Sequence, residues 1–438
     1  MEKQIEPRLL KGFRDFLPQT ELLRRQIMRK LEKTFHLFGF LPIDTPVLEY
    51  AEILLGKGGG ETDKQVYRFH DHGQRDIALR YDLTVPFARF MAQHLNELTL
   101  PFKRYHIGKV WRGENTQRGR YREFTQIDFD IVGVDSASAD FEILLLMFRS
   151  MAALGIENFK IHYFHRGLYN NLLKNFGLEK KLVDILRAID KLKKFGKEKV
   201  AGLLKECGCG DYTERILSFI QPENNFNATL GKIMTHVDSD CQEITRLQEI
   251  QQCIADMGLD NFFLLDPAIT RGLDYYTGIV YETFLNDIPQ IGSVCSGGRY
   301  NNLASLYTRA KLPGVGSSIG LDRLIAALEE LKLLEEITET ISTPLLILFL
   351  DQNLLSYYHQ LAAAFHTRGI AAEVFPVKKK LSAQFNYAQK KSIPLALICG
   401  ELEMEKGSVT IKDLRSRQSY ENLIPEQAIA KVTELLPG

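Results

Sequence analysis

The sequence predicts an α+β fold that is divided among several domains. A chain of 438 residues is longer than one hydrophobic core ordinarily supports, which favours two or three domains. Residues 104–134 predict two strands on either side of a polar loop, whereas residues 168–258 are rich in Leu, Lys and Glu and predict helices. After residue 344, short apolar strands alternate with amphipathic helices, which is typical of βαβ units in a small α/β domain.

The amino-terminal part of the chain alternates between helix and strand. Residues 21–39 place apolar side chains at helical spacing and end in glycine, so they predict a helix. Residues 40–50, FLPIDTPVLEY, have the composition of a strand, but Pro42 and Pro46 confine it to an edge or an interface. Residues 76–92 predict a strand, a turn and a helix.

The second strand of the central pair has two chemically different faces. Alternating residues of a strand point to opposite sides of the sheet. One face holds Glu123, Thr125, Ile127, Phe129 and Ile131, and the other holds Arg122, Phe124, Gln126, Asp128 and Asp130. A strand that presents arginine, glutamine and aspartate together predicts a polar floor instead of a core.

Later stretches predict an insertion and a linker. The lysines of residues 168–258 are most simply explained as a solvated face, and the alternative is a surface that touches a polyanion. Strand patterning returns at residues 261–284, and TETISTP at residues 338–344 predicts a linker. In the last domain, lysines at 378–380, 390 and 391 cluster near two aromatic residues, which suits either RNA or simple solvation of the helix ends.

Composition excludes several classes of protein. Lys plus Arg and Asp plus Glu both number 55, so the global charge identifies no partner, although local clusters can still bind nucleic acid. No apolar run approaches the length of a membrane span, and the charged start lacks the features of a signal peptide. The six cysteines are scattered, and CGC at 207–209 lacks the paired spacing of a zinc site. We expect reduced thiols and a cytoplasmic protein without membrane contact.

The octet RGLDYYTG at residues 271–278 suggests chemistry. Taken alone, it fits a hairpin in which Tyr275 and Tyr276 lie on opposite faces of a sheet and Arg271 pairs with Asp274. Other stretches with the same polar and glycine-rich character are LRYDLT (79–84), WRGENTQRGRYREFTQIDFD (111–130), CSGGRYNN (295–302) and PGVGSSIGLDRL (313–324). No GxxxxGK[ST] motif occurs, so a P-loop is excluded. The arginines in these stretches suit phosphate oxygens, which a guanidinium group binds in pairs.

Together these stretches resemble the histidyl-tRNA synthetases over essentially the whole chain. LPIDTPVLE resembles motif one of the class II aminoacyl-tRNA synthetases, residues 111–130 resemble motif two, and GVGSSIGLDRL resembles motif three with its final arginine, Arg323. RGLDYYTG and SGGRY are more specific, because they resemble the two signatures of the histidine enzymes. The resemblance implies a six-stranded antiparallel sheet flanked by helices, a helical insertion and a C-terminal α/β anticodon-binding domain.

The resemblance also implies domain bounds and an activity. The catalytic domain would comprise residues 1–167 and 259–333, with the insertion at 168–258, the linker at 334–343 and the anticodon-binding domain at 344–438. The enzyme would be a homodimeric histidine–tRNA ligase. It would activate L-histidine with ATP to histidyl-adenylate and transfer it to tRNA(His), releasing AMP and diphosphate.

The resemblance implies roles for individual residues. Arg271 and Arg112 would be catalytic, set at the α-phosphate, where they replace much of the role of a metal ion. Histidine contacts would come from Asp82, Leu83, Thr84, Arg112, Gln126, Asp130, Arg271, Tyr275 and Tyr276. ATP contacts would come from Arg112, Glu114, Arg120, Phe124 and Arg323. No metal site in the protein is implied, and Mg²⁺ would accompany ATP.

This chemistry would explain the octet. The carboxylate of histidine must attack the α-phosphate of ATP in line, and positive groups placed where charge accumulates lower that barrier. The hydroxyls of Tyr275 and Tyr276 can bind the imidazole, and a site built to hydrogen-bond a group rejects analogues that lack it.

Two departures and two rivals accompany the resemblance. The family commonly has proline after the acid-led pair Glu114-Asn115, where this chain has Thr116, and the second signature commonly continues with Asp-Gly, where this chain has Asn301-Asn302. One rival is the catalytically silent paralogue that regulates histidine biosynthesis, which typically lacks the C-terminal domain and the intact octet. The other is a synthetase-like module that senses uncharged tRNA, which usually sits beside a kinase.

Overall fold

The computed structural model describes residues 5–56, 64–270, 276–334 and 343–436. The chain forms two compact units, Met1–Ile337 and Thr338–Gly438. The predicted linker, 334–343, lies mostly outside the described residues.

The first unit contains a large sheet, a small sheet and surrounding helices. Its helices are α1 (Pro18–Leu37), α2 (Ala51–Leu55), α3 (Thr84–Gln93), α4 (Ala137–Ala152), α5 (Gly167–Asn175), α6 (Leu182–Ile189), α7 (Leu192–Glu206), α8 (Thr213–Phe219), α9 (Phe226–Met234), α10 (Gln242–Asp256) and α11 (Leu321–Glu330). Its strands are β1 (Leu41–Pro42), β2 (Leu48–Tyr50), β3 (Arg68–His70), β4 (Asp76–Leu79), β5 (Phe102–Trp111), β6 (Glu123–Val132), β7 (Phe159–His165), β8 (Phe263–Leu265), β9 (Ile279–Leu285), β10 (Cys295–Arg299) and β11 (Gly314–Gly320).

The large sheet has eight strands in the order β1-β5-β6-β11-β10-β9-β7-β8. The six inner strands pair antiparallel, as the resemblance implied. A short parallel strand is added at each end, β1 on β5 and β8 on β7. The small sheet has the order β2-β4-β3. Both proline-flanked strands of residues 40–50 therefore lie at sheet edges, where proline removes no ladder hydrogen bond that a second neighbour would need.

The apolar face of β6 packs on the long first helix. Ile127, Phe129 and Ile131 are buried, and the ring of Phe35 in α1 lies 5.1 Å from that of Phe129 between centroids. The opposite face of β6 carries the polar side chains, so the predicted division into a core face and a polar floor is confirmed. Helices α5 to α10 follow one another between β7 and β8, which confirms the helical character of residues 168–258.

The second unit is the small α/β domain that the sequence predicts. Its strands are β12 (Leu345–Ile347), β13 (Ala372–Val374), β14 (Leu395–Ile398), β15 (Val409–Asp413) and β16 (Ser419–Leu423), and its helices are α12 (Leu355–Thr367), α13 (Leu381–Lys390), α14 (Glu401–Glu405) and α15 (Pro425–Leu435). The sheet order is β13-β12-β14-β15-β16. Strand β12 pairs parallel with β13 and β14, whereas β15 and β16 pair antiparallel, so the βαβ units are confirmed.

Candidate functional site

A cavity of ≈ 400 Å³ lies over the polar face of the large sheet. It is lined by residues from β6, β9, β10, β11, the start of α11 and the loop between β5 and β6. Nine of the residues singled out in the sequence line it together: Asp82, Thr84, Arg112, Glu114, Arg120, Phe124, Gln126, Tyr276 and Arg323. The fold thus brings parts of four separate sequence stretches to one cavity.

Two acceptor oxygens of the cavity have no partner among the described residues. Asp82 lies just before α3, and its Oδ1 accepts the Val85 N–H at 3.0 Å, while its Oδ2 is buried without a partner in the part of the chain that is described. Gln126 donates from Nε2 to the Ser318 hydroxyl at 2.7 Å, and its Oε1 is likewise unpaired within those residues. Burial raises the pKa of Asp82, because a charged carboxylate is poorly solvated there. Each oxygen could accept a hydrogen bond from a cationic ammonium group.

Asp130 and Leu83 lie beneath the cavity and do not line it. Asp130 is 3% exposed, forms an ion pair with Arg104 at 2.6 Å and accepts the Tyr300 hydroxyl at 2.5 Å. Burial raises its pKa, and the nearby Arg104 guanidinium opposes that rise. Leu83 is fully buried in the core, so only its main chain is available to a ligand.

A buried group of charges supports this floor. Arg104 is fully buried, and its guanidinium carbon lies 4.0 Å from the centre of the Phe87 ring. Asp128, which is 1% exposed, lies close enough to Arg104 and Asp130 to sense both charges. Burial raises the pKa of Asp128 to about 7, although Arg104 lowers it. Asp128 and Asp130 thus share the positive charge of Arg104.

Two glycines of β10 and β11 lie directly against side chains of this region. A Cβ atom on Gly316 would lie 1.9 Å from Oδ1 of Asp130, and one on Gly298 would lie 2.8 Å from Cδ1 of Tyr276. Neither distance is possible for real atoms without movement. The glycines of GVGSSIG and SGGRY are therefore needed because β10 and β11 approach these two side chains so closely.

Three arginines line the other part of the cavity. Arg112 donates from Nε to the Tyr81 carbonyl at 2.9 Å, and its guanidinium lies 5.1 Å from the Phe124 ring centre. Arg323 donates to the Ser293 carbonyl at 2.6 Å, and burial lowers its pKa. Arg120 forms an ion pair with Glu114. Two of the three guanidiniums are thus held by main-chain carbonyls, which fixes their orientation.

Of the octet at 271–278, the structure describes residues 276–278. Arg271 and Tyr275, to which the sequence assigned a catalytic and a histidine-binding role, lie outside the described residues, as does Asp274. Tyr276 is buried and lines the cavity. On the other side of the gap, the Thr270 hydroxyl donates to the Leu186 carbonyl of α6 at 3.1 Å, so a helix of the 168–258 region holds the chain just before the octet.

Several cavity residues escaped the sequence reasoning. The clearest are Tyr121, Asp190, Glu282 and Asp322. Glu282 interrupts the apolar strand IVYETF, and that polar position is a signal that could have found it. Asp190 ends a helix within the 168–258 region, and nothing local distinguishes it from a solvated helix end.

The Asn301 departure has a structural counterpart. The Asn301 side chain donates from Nδ2 to Asp135 at 2.9 Å and accepts from Arg299 at 3.3 Å. Asp135 also pairs with Arg246 of α10 at 3.0 Å. Arg299 forms an ion pair with buried Asp140 at 2.7 Å. An aspartate at 301 would place a second carboxylate against Asp135, whereas the asparagine of this chain donates a hydrogen bond to it.

The basic residues of the second unit do not form one cluster. Lys378, Lys379 and Lys380 precede α13, whereas Lys390 and Lys391 end it, and a ten-residue helix is about 15 Å long. Lys391 pairs with Glu373 at 2.7 Å. A separate groove of ≈ 690 Å³ in this unit is lined by residues that include Phe385, Lys412, Arg415 and Arg417. Lys412 lies 5.3 Å above the ring of Phe385.

Three further observations describe the chain as a whole. All six cysteines carry free thiols, as predicted. Within the described ranges, no three or more His, Cys, Asp or Glu side chains are grouped so that they could hold a metal ion. Of the helices that the structure describes, none combines the length and the apolar character that crossing a membrane requires.

Comparisons with known proteins agree with this architecture. The family model described as histidyl-tRNA synthetase matches residues 12–324, and the anticodon binding domain model matches residues 344–435. The histidine–tRNA ligase of Treponema denticola is 46% identical over 447 residues, covering 99% of each chain. That of Rhodopirellula baltica is 44% identical over 423 residues, covering 95% of each chain.

Solved structures extend the likeness to three dimensions. The histidyl-tRNA synthetase from Nostoc sp. PCC 7120 has a TM-score of 0.84 at 30% identity and covers 99% of this chain and 100% of its own. The apo S. aureus enzyme has a TM-score of 0.73 at 22% identity, covers 98% of this chain and 100% of its own, and supports the fold alone. Because the family model matches most of the chain and these relatives align with it over nearly its whole length, the chain belongs to the histidyl-tRNA synthetase family.

Proposed function

We infer that the chain is a histidine–tRNA ligase, which joins L-histidine to ATP to form histidyl-adenylate and then transfers the histidyl group to tRNA(His). The observation that carries this inference is the single cavity that brings together Asp82, Gln126 and Tyr276 with three arginines. The two substrates, an amino acid and a polyphosphate, both have complementary groups in this cavity.

Histidine binds at the end of the cavity near Asp82. The α-ammonium group lies between Asp82 and Gln126, whose free oxygens accept its hydrogens, and Thr84 and the main chain of Leu83 complete the contact. Asp130 helps to orient the amino acid, and Tyr275 and Tyr276 bind the imidazole. Asp130 acts from below the floor, held by Arg104 and Tyr300. This arrangement is supported by the Asp82 and Gln126 oxygens, which are buried and have no hydrogen-bond partner among the described residues. A buried acceptor without a donor is energetically costly.

Arginines drive the activation step. The histidine carboxylate attacks the α-phosphorus, the bond from that phosphorus to the bridging oxygen breaks, and diphosphate leaves with the electron pair. Arg112 and Arg271 stabilise the charge on the phosphate oxygens as it grows. Arg112 is suited to this because Tyr81 and Phe124 hold its guanidinium before any ligand arrives. Mg²⁺ enters with ATP as part of the substrate.

ATP binds along the remaining part of the cavity. Phe124 offers a face for the adenine ring, Glu114 accepts from its amino group, and Arg120 and Arg323 contact the phosphates. Glu114 and Arg120 pair with each other in the free protein, so the nucleotide must compete with or reorganise that ion pair.

The chain divides its work among domains in this proposal. Residues 1–167 and 259–333 carry the chemistry, residues 168–258 form the insertion, residues 334–343 form the linker, and residues 344–438 bind the anticodon arm. Phe385 and the basic residues of its groove suit stacked bases and phosphates. The free thiols of all six cysteines support a cytoplasmic setting.

A homodimer is part of the proposal. Leu41, Val47, Leu48 and Tyr50 of the motif-one region are 58%, 38%, 44% and 48% exposed, although all four are apolar or aromatic. Neighbouring exposed apolar side chains mark interaction surfaces more often than free surface. Light scattering on the purified protein tests this, because a monomer at micromolar concentration would remove the dimer from the proposal.

The deciding experiment is histidine-dependent exchange of labelled diphosphate into ATP. Exchange with histidine, and none with other amino acids, supports the enzyme over both the silent regulatory paralogue and the tRNA sensor. Absence of exchange by folded protein would overturn the proposed activity.

Arg271 has its own test within the same assay. Arg271→Lys should lose much of the activation rate while histidine binding changes less, because lysine cannot span two phosphate oxygens with a fixed fork. Arg25→Lys, an exposed arginine that pairs with Glu21, is the matched control. A normal rate in Arg271→Lys would remove Arg271 from the mechanism.

A further inference from the structure

In the amino-terminal segment KGFRDFLP, residues 11–18, one side chain contacts both the motif-two and the motif-three parts of the cavity. Arg14 donates from Nη2 to Oδ1 of Asp322 at 2.5 Å. The same guanidinium lies 3.4 Å from the ring centre of Tyr121. Tyr121 belongs to the motif-two stretch and Asp322 to motif three, and both line the cavity. Arg14 therefore joins two walls that are 201 residues apart in sequence, from 121 to 322.

The main chain of this segment is fixed next to motif two. The carbonyl of Gly12 accepts the Arg122 N–H at 2.9 Å. Gly12 has a φ of 88°, and a Cβ there would lie 2.8 Å from both Cγ of Arg122 and Cγ2 of Thr116. Only glycine allows both the conformation and the approach. Arg14 thus projects from a backbone that is already anchored to the loop it contacts.

Asp322 needs cations because of where it lies. Its side chain is 3% exposed, and it also accepts from Arg24 at 2.8 Å and from the Thr125 N–H at 2.9 Å. Asp322 immediately precedes Arg323 and faces a cavity whose described lining already holds four other carboxylates, Asp82, Glu114, Asp190 and Glu282, against the arginines Arg112, Arg120 and Arg323. An uncompensated carboxylate here would repel a polyphosphate.

We propose that Arg14 is a positioning residue of the ATP site, which holds Tyr121 against the start of α11 and neutralises Asp322 from behind. The proposal rests on the assignment of this cavity to ATP in the proposed function. The loop and α11 are in close contact, since a Cβ on Gly119 would lie 3.3 Å from Cα of Arg323. Without Arg14, the loop that carries Tyr121 loses its contact with a charged side chain, and Asp322 pairs with Arg24 alone. Arg14 sets ATP affinity and leaves histidine affinity alone, because Asp82 and Gln126 make no contact with it.

Arg14→Met tests the proposal, since it keeps an unbranched apolar side chain and removes the charge. Arg24 continues to pair with Asp322 in this variant, so the fold is preserved. We expect the KM for ATP in the exchange assay to rise about tenfold, which corresponds to about 1.4 kcal/mol of lost interaction, while the KM for histidine stays within about twofold. Arg14→Lys should recover part of the loss. Arg25→Met, on exposed α1 surface, is the matched control.

A double-mutant cycle adds a readout that a purely structural role would not move. Tyr121→Leu should raise the KM for ATP, and the double variant Arg14→Met/Tyr121→Leu should be little worse than either single variant, because both remove one shared contact. A calorimetric titration with ATP should show the same loss of affinity without any turnover.

The outcomes separate this proposal from the proposed function. Parent protein that binds ATP and shows exchange, with an Arg14→Met variant of unchanged ATP affinity, would overturn the role of Arg14 alone. Equal losses for ATP and histidine, or strictly additive effects in the cycle, would also overturn it. Parent protein without histidine-dependent exchange would instead count against the enzyme assignment.

Discussion

Replacing Arg104 with methionine should destabilise the catalytic unit and weaken histidine binding together. Arg104 is fully buried, and its ion pair with Asp130 spans 2.6 Å between two side chains that are 0% and 4% exposed. Removing one partner of such a pair leaves a buried charge alone and costs about 3–5 kcal/mol. None of the three guanidinium nitrogens of Arg104 has a hydrogen-bond partner among the described residues, so the variant loses the ion pair and no hydrogen bond, and we expect the lower end of that range.

The loss of stability in Arg104→Met should depend on pH, and the burial of Asp130 determines the direction of that dependence. Burial already raises the pKa of Asp130, and Arg104 is the group that opposes the rise. In Arg104→Met the pKa rises further. A carboxyl whose folded pKa is raised contributes stability at low pH that is lost as the pH rises through the folded pKa. The deficit of the variant should therefore be smaller at pH 5 than at pH 8.

The chain offers a convenient probe and a matched control. Its single tryptophan, Trp111, ends β5 and is 8% exposed, so its fluorescence during urea denaturation reports on the large sheet. The double variant Arg104→Met/Asp130→Asn removes the orphaned charge and should recover about 1–2 kcal/mol of the loss. The KM for histidine in the exchange assay should rise in both variants. An unfolding free energy for Arg104→Met within about 1 kcal/mol of the parent would refute the reasoning.

Three further predictions use the same assays. Asp128→Asn should raise stability above pH 7, because burial raises the pKa of Asp128 to about 7. The stabilising contribution of its folded-state proton is complete below the unfolded pKa of about 4 and is lost as the pH rises through about 7. Urea denaturation at pH 5 and 8 checks this, and a larger gain at pH 5 would contradict it. Asn301→Asp should lower the free energy of unfolding by about 1 kcal/mol, because the hydrogen-bond donor to Asp135 becomes a like charge. Adding Asp135→Asn should recover that stability, and an unaltered urea midpoint would count against the contact. Deleting residues from Ser342 onward should leave adenylate formation in place and remove most tRNA charging, and full charging by the shortened chain would argue against an anticodon role for the second unit.

The sequence predicts the elements best where one face of an element is buried. The apolar spacing of residues 21–39 corresponds to α1, and the alternation along β6 corresponds to a core face and a polar face. These patterns are local, so a single sequence carries them. The edge positions of the strands around Pro42 and Pro46 were also predictable, because proline restricts pairing wherever it occurs.

The site was predictable only where a motif names it. Asp82, Gln126 and Arg323 are recognisable from their stretches, and the fold brings them to one cavity. Asp190 was not, because only tertiary packing carries the end of α6 to the cavity. The contact between Arg14 and Asp322 was not either, since it joins residues 308 positions apart and depends on no periodicity. Long-range ion pairs of this kind leave no trace in the local pattern.

Gly316 and Gly298 limit how the side chains at this pocket can be rearranged. A glycine has no side chain to shorten, and a Cβ atom at either position would collide with Asp130 or Tyr276. Any drift or engineering toward a bulkier amino acid must therefore act on side chains that line the cavity, such as Gln126, while the two glycines stay. Resistance to an inhibitor that occupies this pocket is consequently not expected to arise by a single substitution at Gly316 or Gly298.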